Sequence, residues 1–484
     1  MPRHTKIVAT LGPASSDLQI IERMVHAGVD VVRMNFSHGK AEDHIARATL
    51  IRDASTRARR PVGILADLQG PKIRVGRFHE GKVTLKREAP FILDADCPMG
   101  DSGRAGLDYR DLPRDVTAGD VLLLDDGRIK LDVERVSGNE IHTRVRVGGE
   151  LSNNKGINRQ GGGLSAPALT SKDMEDIRTA AEIGADFLAI SFPKSAADMY
   201  MARQLMRAAG GKALLIAKIE RTEAVANLDE ILDASDGIMV ARGDLAVEVG
   251  DAAVPALQKR MIRAARDRNK LTITATQMME SMILSPVPTR AEVSDVANAV
   301  LDGTDAVMLS AETASGNFPV EVVEAMSRVC LEAEKSAEVT LDRDVLNRVF
   351  TRIDQSIAMA AIWTAYHLKV KAIASLTQTG STALWMSRLN GGVPIYALTP
   401  EHVARNQMTL YREVYPLLMS QTHQDRDLML WEAEQVLIDQ GVVDRGDLIV
   451  LTIGEPIGSA GGTNTLKIVR VGEHPPPPQL ANPI

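Results

Sequence analysis

Lys218 and Glu220 stand two residues apart at the end of an apolar run, LLIAKIE at 214–220, and Asp244 ends the next run, GIMVARGDL at 237–245. Residues two apart on a strand share a face, so this ammonium and this carboxylate are expected on one side. With the two runs as neighbours, Glu220 and Asp244 converge on one hard cation and leave positions for water and substrate oxygens, the arrangement magnesium prefers. A lysine beside such a pair, with Arg33 from VDVVRMNF at 29–36 across from it, makes a cationic pocket suited to a phosphoryl group and a carboxylate. Other polar residues end similar runs: Asn35, Ser37 and His38; Asp67 and then Arg74; Arg242; Thr276 and Gln277; Glu312. Strand ends are often polar because they meet solvent, so any one of these is weak. Opposite charges accumulating at the ends of so many runs point to metal-assisted chemistry on a phosphorylated or carboxylated small molecule.

The elements that must position these groups are short runs rich in Val, Ile and Ala, separated by stretches of helical length, the pattern of parallel strands alternating with helices. Eight are counted: 6–12, 29–36, 61–68, 186–192, 214–220, 237–245, 271–278 and 305–313. Eight is the number that closes a (β/α)8 TIM barrel, whose site lies at the carboxyl ends of the strands. Gly28, Gly184, Gly237 and Gly303 stand where helices must stop, a place for left-handed backbone. Between the third and fourth runs the pattern changes to alternating segments such as KVTLK and EIHTRVRV with Asp-Gly turns, an inserted antiparallel β unit. Its exit, LSNNKGINRQGGGLSAP, has the polar, glycine-rich composition of a hinge and leads into a helix beginning near Thr170 with Asp173 in its first turn. After the barrel, KAIASLT, VPIYALT, DLIVLTIG and TLKIVRV alternate with helical segments. The class is therefore α/β. The expected division is a barrel at 1–69 and 169–345, a small β-barrel lid at 70–168, a C-terminal α/β effector domain at 346–473 and a flexible proline-rich tail at 474–484.

Composition narrows the function. A net charge of -7 argues against a nucleic-acid or anionic-membrane surface but allows a local basic pocket. The two cysteines, Cys97 and Cys330, lack metal-ligand or redox spacing, so a reduced, cytoplasmic setting is expected. No stretch approaches eighteen apolar residues and the amino terminus has no long apolar core, which disfavours membrane insertion and secretion.

The segments TKIVATLGPAS, VVRMNFSHG, DLQGPKIR, IAKIE, MVARGDL, ATQMMESM and PTRAEVSDVANAVLDGTDAVMLSAETASG together closely resemble pyruvate kinase, over about residues 5–470. The resemblance implies transfer of the phosphoryl group of phosphoenolpyruvate to ADP, giving pyruvate and ATP. It assigns Arg33 to the substrate phosphate, Lys218 to the transferring phosphoryl group, and Glu220 and Asp244 to magnesium, with manganese as a substitute. Gly243, Asp244 and Thr276 would meet the carboxylate end of the substrate. Enolpyruvate held at the metal is then protonated, with Thr276 near that step. Asn35, His38, Arg74 and Lys155 resemble nucleotide-contacting positions, Lys155 reaching in from the lid. A homotetramer is also implied. An enolate lyase or an aldolase using Lys218 as Schiff-base nucleophile is a competing chemistry; a silent sensor is a third reading, disfavoured by the presence of Arg33, Lys218, Glu220 and Asp244.

One departure matters. Many members of the family carry Asp-Thr-Lys-Gly-Pro-Glu where this chain has Asp67-Leu68-Gln69-Gly70-Pro71-Lys72, and that glutamate accompanies a potassium requirement. Asn35, Ser37 and Asp67 resemble the potassium ligands, but Lys72 places a fixed cation nearby, so potassium is expected to be dispensable. In the last domain LTQTGSTA offers Thr377, Thr379, Gly380, Ser381 and Thr382 around an anion. Since the family places a phosphorylated effector there, activation by a sugar phosphate or nucleotide monophosphate is expected, closed over by the segment near GSAGGTN.

Overall fold

The computed structural model describes residues 2–336, 349–420, 425–456 and 462–473. All eight expected runs contain a strand, at Lys6–Thr10, Val31–Asn35, Gly63–Asp67, Phe187–Ile190, Leu214–Ile219, Gly237–Ala241, Leu271–Ala275 and Ala306–Leu309. They pair in parallel, each with its chain neighbours, and the first closes onto the last. Strands covered by helices on one face and by packed side chains on the other are buried along most of their length; Ile7, Val8, Val31, Ile64, Leu65, Ile216, Met239 and Ile273 have no exposed surface, while Arg33, Asn35 and Lys218 are partly exposed.

Gly28, Gly184 and Gly303 do have positive φ where helices end. Gly237 does not. It opens the sixth strand, and a Cβ there would lie 2.7 Å from the Leu271 side chain, so close strand packing requires it rather than a helix stop. The sixth and seventh strands are shorter than expected. The sixth ends at Ala241 and the chain turns at once into a helix, Arg242–Val249. Asp244 therefore sits in the first turn of that helix, where backbone N–H groups favour a carboxylate, and not on the strand. Thr276 and Gln277 follow the seventh strand with φ of +70° and +52°. Glu312 also leaves its strand for a short helical turn, Ala311–Ala314. Buried there, it accepts N–H bonds from Ser310 and Met279, which is a structural duty.

The inserted unit is a curled six-stranded sheet with a separate two-stranded ribbon. Its strands run in the order 157–159, 121–124, 129–137, 140–147, 90–94 and 104–106, and the segment at 74–75 bridges the two outer ones, Arg74 to Gly156 and Val75 to Leu107, which closes the sheet into the expected small barrel. One pair, Pro90–Asp94 with Arg104–Gly106, is parallel. Its core is its own, built on Phe91, Leu93, Leu122, Leu124, Leu131 and Ile141. Part of the expected hinge is in fact strand, Gly149–Ser152 and Ile157–Arg159, and the irregular part shrinks to Gly161, Gly162 and Gly163, all at positive φ. The helix after it is Ser171–Glu182, capped by Thr170 with Asp173 returning the bond. Asp173 also accepts the N–H of Gly70, which ties the entry of the inserted unit to the barrel.

The last domain is a five-stranded sheet in the order 414–418, 395–399, 372–376, 448–454 and 463–470, with the final pair antiparallel. Its edge strand Val414–Leu418 was not foreseen: Pro416 in a five-residue run argues against a central strand, and edges are where proline is tolerated. The proline-rich segment 474–484, the expected boundary at 345–346 and residues 458–461 of GSAGGTN lie outside the described residues. No described helix is long and apolar enough to cross a membrane.

Candidate active site

Four charged side chains form a continuous chain at the carboxyl-terminal mouth of the barrel. Arg33, from the second strand, donates through Nε to Asp67 Oδ2 at 2.6 Å and through Nη1 to Thr10 Oγ1 at 3.1 Å. Asp67, at the end of the third strand, presents Oδ1 to Lys218 Nζ at 3.3 Å. Lys218 Nζ in turn reaches Glu220 Oε1 at 2.9 Å, as their spacing on one strand requires. Asp67 is wholly buried and Glu220 nearly so, which makes the charges strong neighbours because little water screens them.

The electrostatics of this chain follow from burial set against charge. Burial alone would lower the Lys218 pKa, but Asp67 and Glu220 outweigh it and raise it to about 12. Burial works to raise the Asp67 pKa, and the charges of Lys218 and Arg33 bring it below its ordinary value. Glu220 moves the other way: burial raises it, Lys218 opposes, and the charge of Asp244 adds to the rise. Asp67 is thus the shared counter-ion of two cations. The sequence places it among the charged strand ends and the potassium-ligand positions, not as a counter-ion.

Asp244 enters from the helix after the sixth strand and meets Lys72 Nζ at 3.3 Å. Lys72 comes from the root of the inserted unit, carried by the turn at Gly70, whose φ is +66° and whose Cβ, if present, would lie 2.8 Å from the side chain of Ser191. Lys72, Gly243, Asp244 and Gln277 line a cleft of about 600 Å³ whose other wall includes Asp126 and Lys130 of the inserted unit. Gly243 N–H donates to Thr276 Oγ1 at 2.9 Å, so the residues expected to meet a substrate carboxylate lie side by side. Thr276 is β-branched and at positive φ, a conformation that costs on the order of 1–3 kcal/mol and persists where the surroundings impose it.

The donor set fits a divalent cation. Glu220 and Asp244 are hard carboxylate donors, and the charge of Asp244 makes the buried Glu220 harder to ionise, a repulsion a cation would relieve. Among the described residues no group of three or more His, Cys, Asp or Glu side chains is placed to hold an ion. Two protein carboxylates leave the other positions to water and substrate oxygens.

Other expected residues are placed less centrally. Asn35 Oδ1 accepts the Ser37 N–H, and His38 is exposed beyond them. Arg74 donates to the Asn154 carbonyl at 3.1 Å. Lys155 is held inside the inserted unit by Asp125 at 2.6 Å rather than reaching the barrel. In the last domain Thr377 Oγ1 accepts the Gly380 N–H at 2.9 Å, and the hydroxyls of Thr382 and Thr463 bond each other at 2.6 Å in a buried position. Thr379 is exposed and Ser381 half-buried.

Sequence reading missed Ser191 and Thr10. Ser191 Oγ accepts from Lys218 Nζ at 2.7 Å and donates to the Leu68 carbonyl; Thr10 Oγ1 supports Arg33 and donates to the Leu309 carbonyl. Both are small hydroxyl residues ending apolar strand runs, a signal available but weak. Phe192, whose N–H donates to Glu220 Oε2 at 2.9 Å from a positive φ, carried no signal at all.

Comparison with known proteins places the chain in a family. Residues 2–323 match the family model described as pyruvate kinase, barrel domain, and residues 355–469 the one described as pyruvate kinase, alpha/beta domain. The chain is 52% identical to pyruvate kinase II of Salmonella typhimurium over 97% of its own length and 99% of that protein's. It is 52% identical to a pyruvate kinase of Haemophilus influenzae over 93% of this chain and 96% of that one. A pyruvate kinase of Buchnera aphidicola subsp. Acyrthosiphon pisum is 49% identical over 97% and 99%. With its barrel, its C-terminal α/β domain and nearly its whole length accounted for, the chain belongs to the pyruvate kinase family and is an enzyme of that family.

Proposed function

We propose that the chain moves the phosphoryl group of phosphoenolpyruvate onto ADP, giving pyruvate and ATP. The observation that carries this is the Arg33–Asp67–Lys218–Glu220 chain at the barrel mouth, facing Asp244 and Lys72. Phosphoryl transfer asks for charge neutralisation and in-line placement more than for covalent help. Arg33 binds the substrate phosphate, and Lys218 stabilises the phosphoryl group as its bond to the enol oxygen breaks and one to the ADP terminal phosphate oxygen forms. Lys218, held protonated by its two carboxylates, is a fixed cation; a Schiff-base lysine needs its pKa lowered, which weighs against the aldolase reading. The enol left behind takes a proton at carbon three, with Thr276 beside that atom and Gly243 at the carboxylate end. Asn35, His38, Arg74 and Lys155 serve the nucleotide, Lys155 after the lid has moved and released it from Asp125.

Glu220 and Asp244 would hold magnesium, or manganese in its place, which supplies Lewis-acid neutralisation of substrate oxygens. Lys72 lies against Asp244 and supplies the monovalent charge that potassium provides elsewhere, so Asn35, Ser37 and Asp67 need hold no ion. Coupled pyruvate formation in tetramethylammonium buffer free of potassium is expected to proceed at nearly the rate seen with potassium, and Lys72→Glu is expected to become potassium-dependent. Near-total loss of the parent's activity without potassium would sink this.

The loop 377–382 supports an effector site for a sugar phosphate or nucleotide monophosphate. Thr379, Ser381 and the loop amides remain for it, since Thr377 and Thr382 already hold the loop in shape. A panel of such compounds should include one that lowers the phosphoenolpyruvate concentration at half-saturation; no shift across the panel counts against the site. A homotetramer acting in the cytoplasm completes the reading, by analogy with the family.

A further inference from the structure

We infer that Arg242, anchored by Asp295, is a positioning residue that holds Thr276 and Gln277 in the backbone conformation the reaction uses. Arg242 begins the helix that carries Gly243 and Asp244, yet its side chain turns to the end of the seventh strand. Its Nε donates to the Ala275 carbonyl at 3.2 Å and its Nη2 to the Thr276 carbonyl at 2.6 Å, with Met278 Sδ 2.9 Å from the same nitrogen. Its Nη1 pairs at 2.7 Å with Asp295 of the helix Arg290–Leu301. The guanidinium side chain is only 12% exposed.

What Arg242 grips explains why it is there. Thr276 and Gln277 are consecutive non-glycine residues at positive φ, a conformation that surrounding structure must over-determine and that clusters at functional sites. Pinning the carbonyls of Ala275 and Thr276 fixes the peptide between them and so the direction of the Thr276 side chain. Gly243 N–H and the Ala275 carbonyl complete the grip on Oγ1, as donor and acceptor respectively. A hydroxyl offers one donor and two acceptor positions, so one acceptor position is left for a substrate or water. Only a planar fork with donors in several directions makes all three bonds at once; a lysine is a point charge and cannot.

The inference rests on the reading of Thr276 as the residue beside the proton step, and the test separates the two. Release of tritium to water from methyl-tritiated pyruvate, with magnesium and ATP present, reports enolisation; ATP formation from phosphoenolpyruvate and ADP reports phosphoryl transfer. Arg242→Lys is expected to lower tritium release by about 100-fold, the scale of a small misplacement of a reacting group. ATP formation should fall by less than about tenfold, since Thr276 meets the substrate at its carboxylate end and not at the transferring phosphoryl group. Asp295→Asn, which keeps the shape of the anchor, should show the same imbalance more weakly. Arg242→Lys combined with Thr276→Ala should be no worse than Thr276→Ala alone, because the arginine acts only through the threonine. Equal losses in both assays with a lowered melting temperature, or additive losses in the double variant, would overturn the positioning role while leaving the reaction intact. A parent enzyme that forms no pyruvate would overturn the functional reading and this inference with it.

Discussion

Replacing Lys218 by Met is expected to lower pyruvate formation from phosphoenolpyruvate and ADP by about 10³-fold or more while the protein stays folded. Loss of one preorganised donor to a developing charge typically costs about 10²–10³-fold, and Lys218 serves a group carrying several negative oxygens. Its removal also leaves Glu220 with a nearby carboxylate and no cation. Methionine fills a similar volume, and Glu220 can take up a proton, so the fold has a way to accommodate the change. The coupled assay, run beside a thermal melt, decides it. Activity within tenfold of the parent, at an unchanged melting temperature, would remove Lys218 from the chemistry.

The second large effect concerns stability as much as rate. Asp67→Asn leaves Arg33 and Lys218 facing a neutral amide in a fully buried position. Removing one partner of a buried ion pair costs about 3–5 kcal/mol, because the remaining charge stays desolvated. Urea unfolding at pH 7 should show a loss of that order, and activity should fall with it because Arg33 loses the carboxylate that orients it. The pH dependence has a definite sign. The Asp67 pKa is lowered in the folded protein, so its contribution is present above its ordinary value of about 3.9 and is lost as pH falls through the folded one. Parent and variant should therefore differ by a constant amount from pH 8 to about 5, with the gap beginning to close near pH 4 and closing further as pH falls toward the folded value. Equal urea midpoints at pH 7 would show that Asp67 is not the keystone of this chain.

The positions of the chemistry were legible because strand ends are. In LLIAKIE the alternation of side chains puts Lys218 and Glu220 on one face whatever the rest of the chain does, and they do meet at 2.9 Å. Asp244 was assigned to a strand because MVARGDL continues an apolar run, whereas the chain turns into a helix at Arg242. Periodicity over a few residues cannot separate these two outcomes. The role of Arg242 was hidden for the same reason. Its direction depends on Asp295, fifty-three residues later in the chain, and on a backbone turn at Thr276 that no local propensity favours.

The sequence by itself determined the eight parallel strands, the inserted β unit, the cationic mouth and the residue types gathered there, because burial on both faces of a strand and polarity at its end are local properties of the chain. Only the tertiary structure decided which charges are partners. Asp67 became the common counter-ion of Arg33 and Lys218, Lys72 came to lie on Asp244, and Lys155 was kept on Asp125. Each of those pairings joins separate elements, and its strength depends on how much water the fold removes from between them.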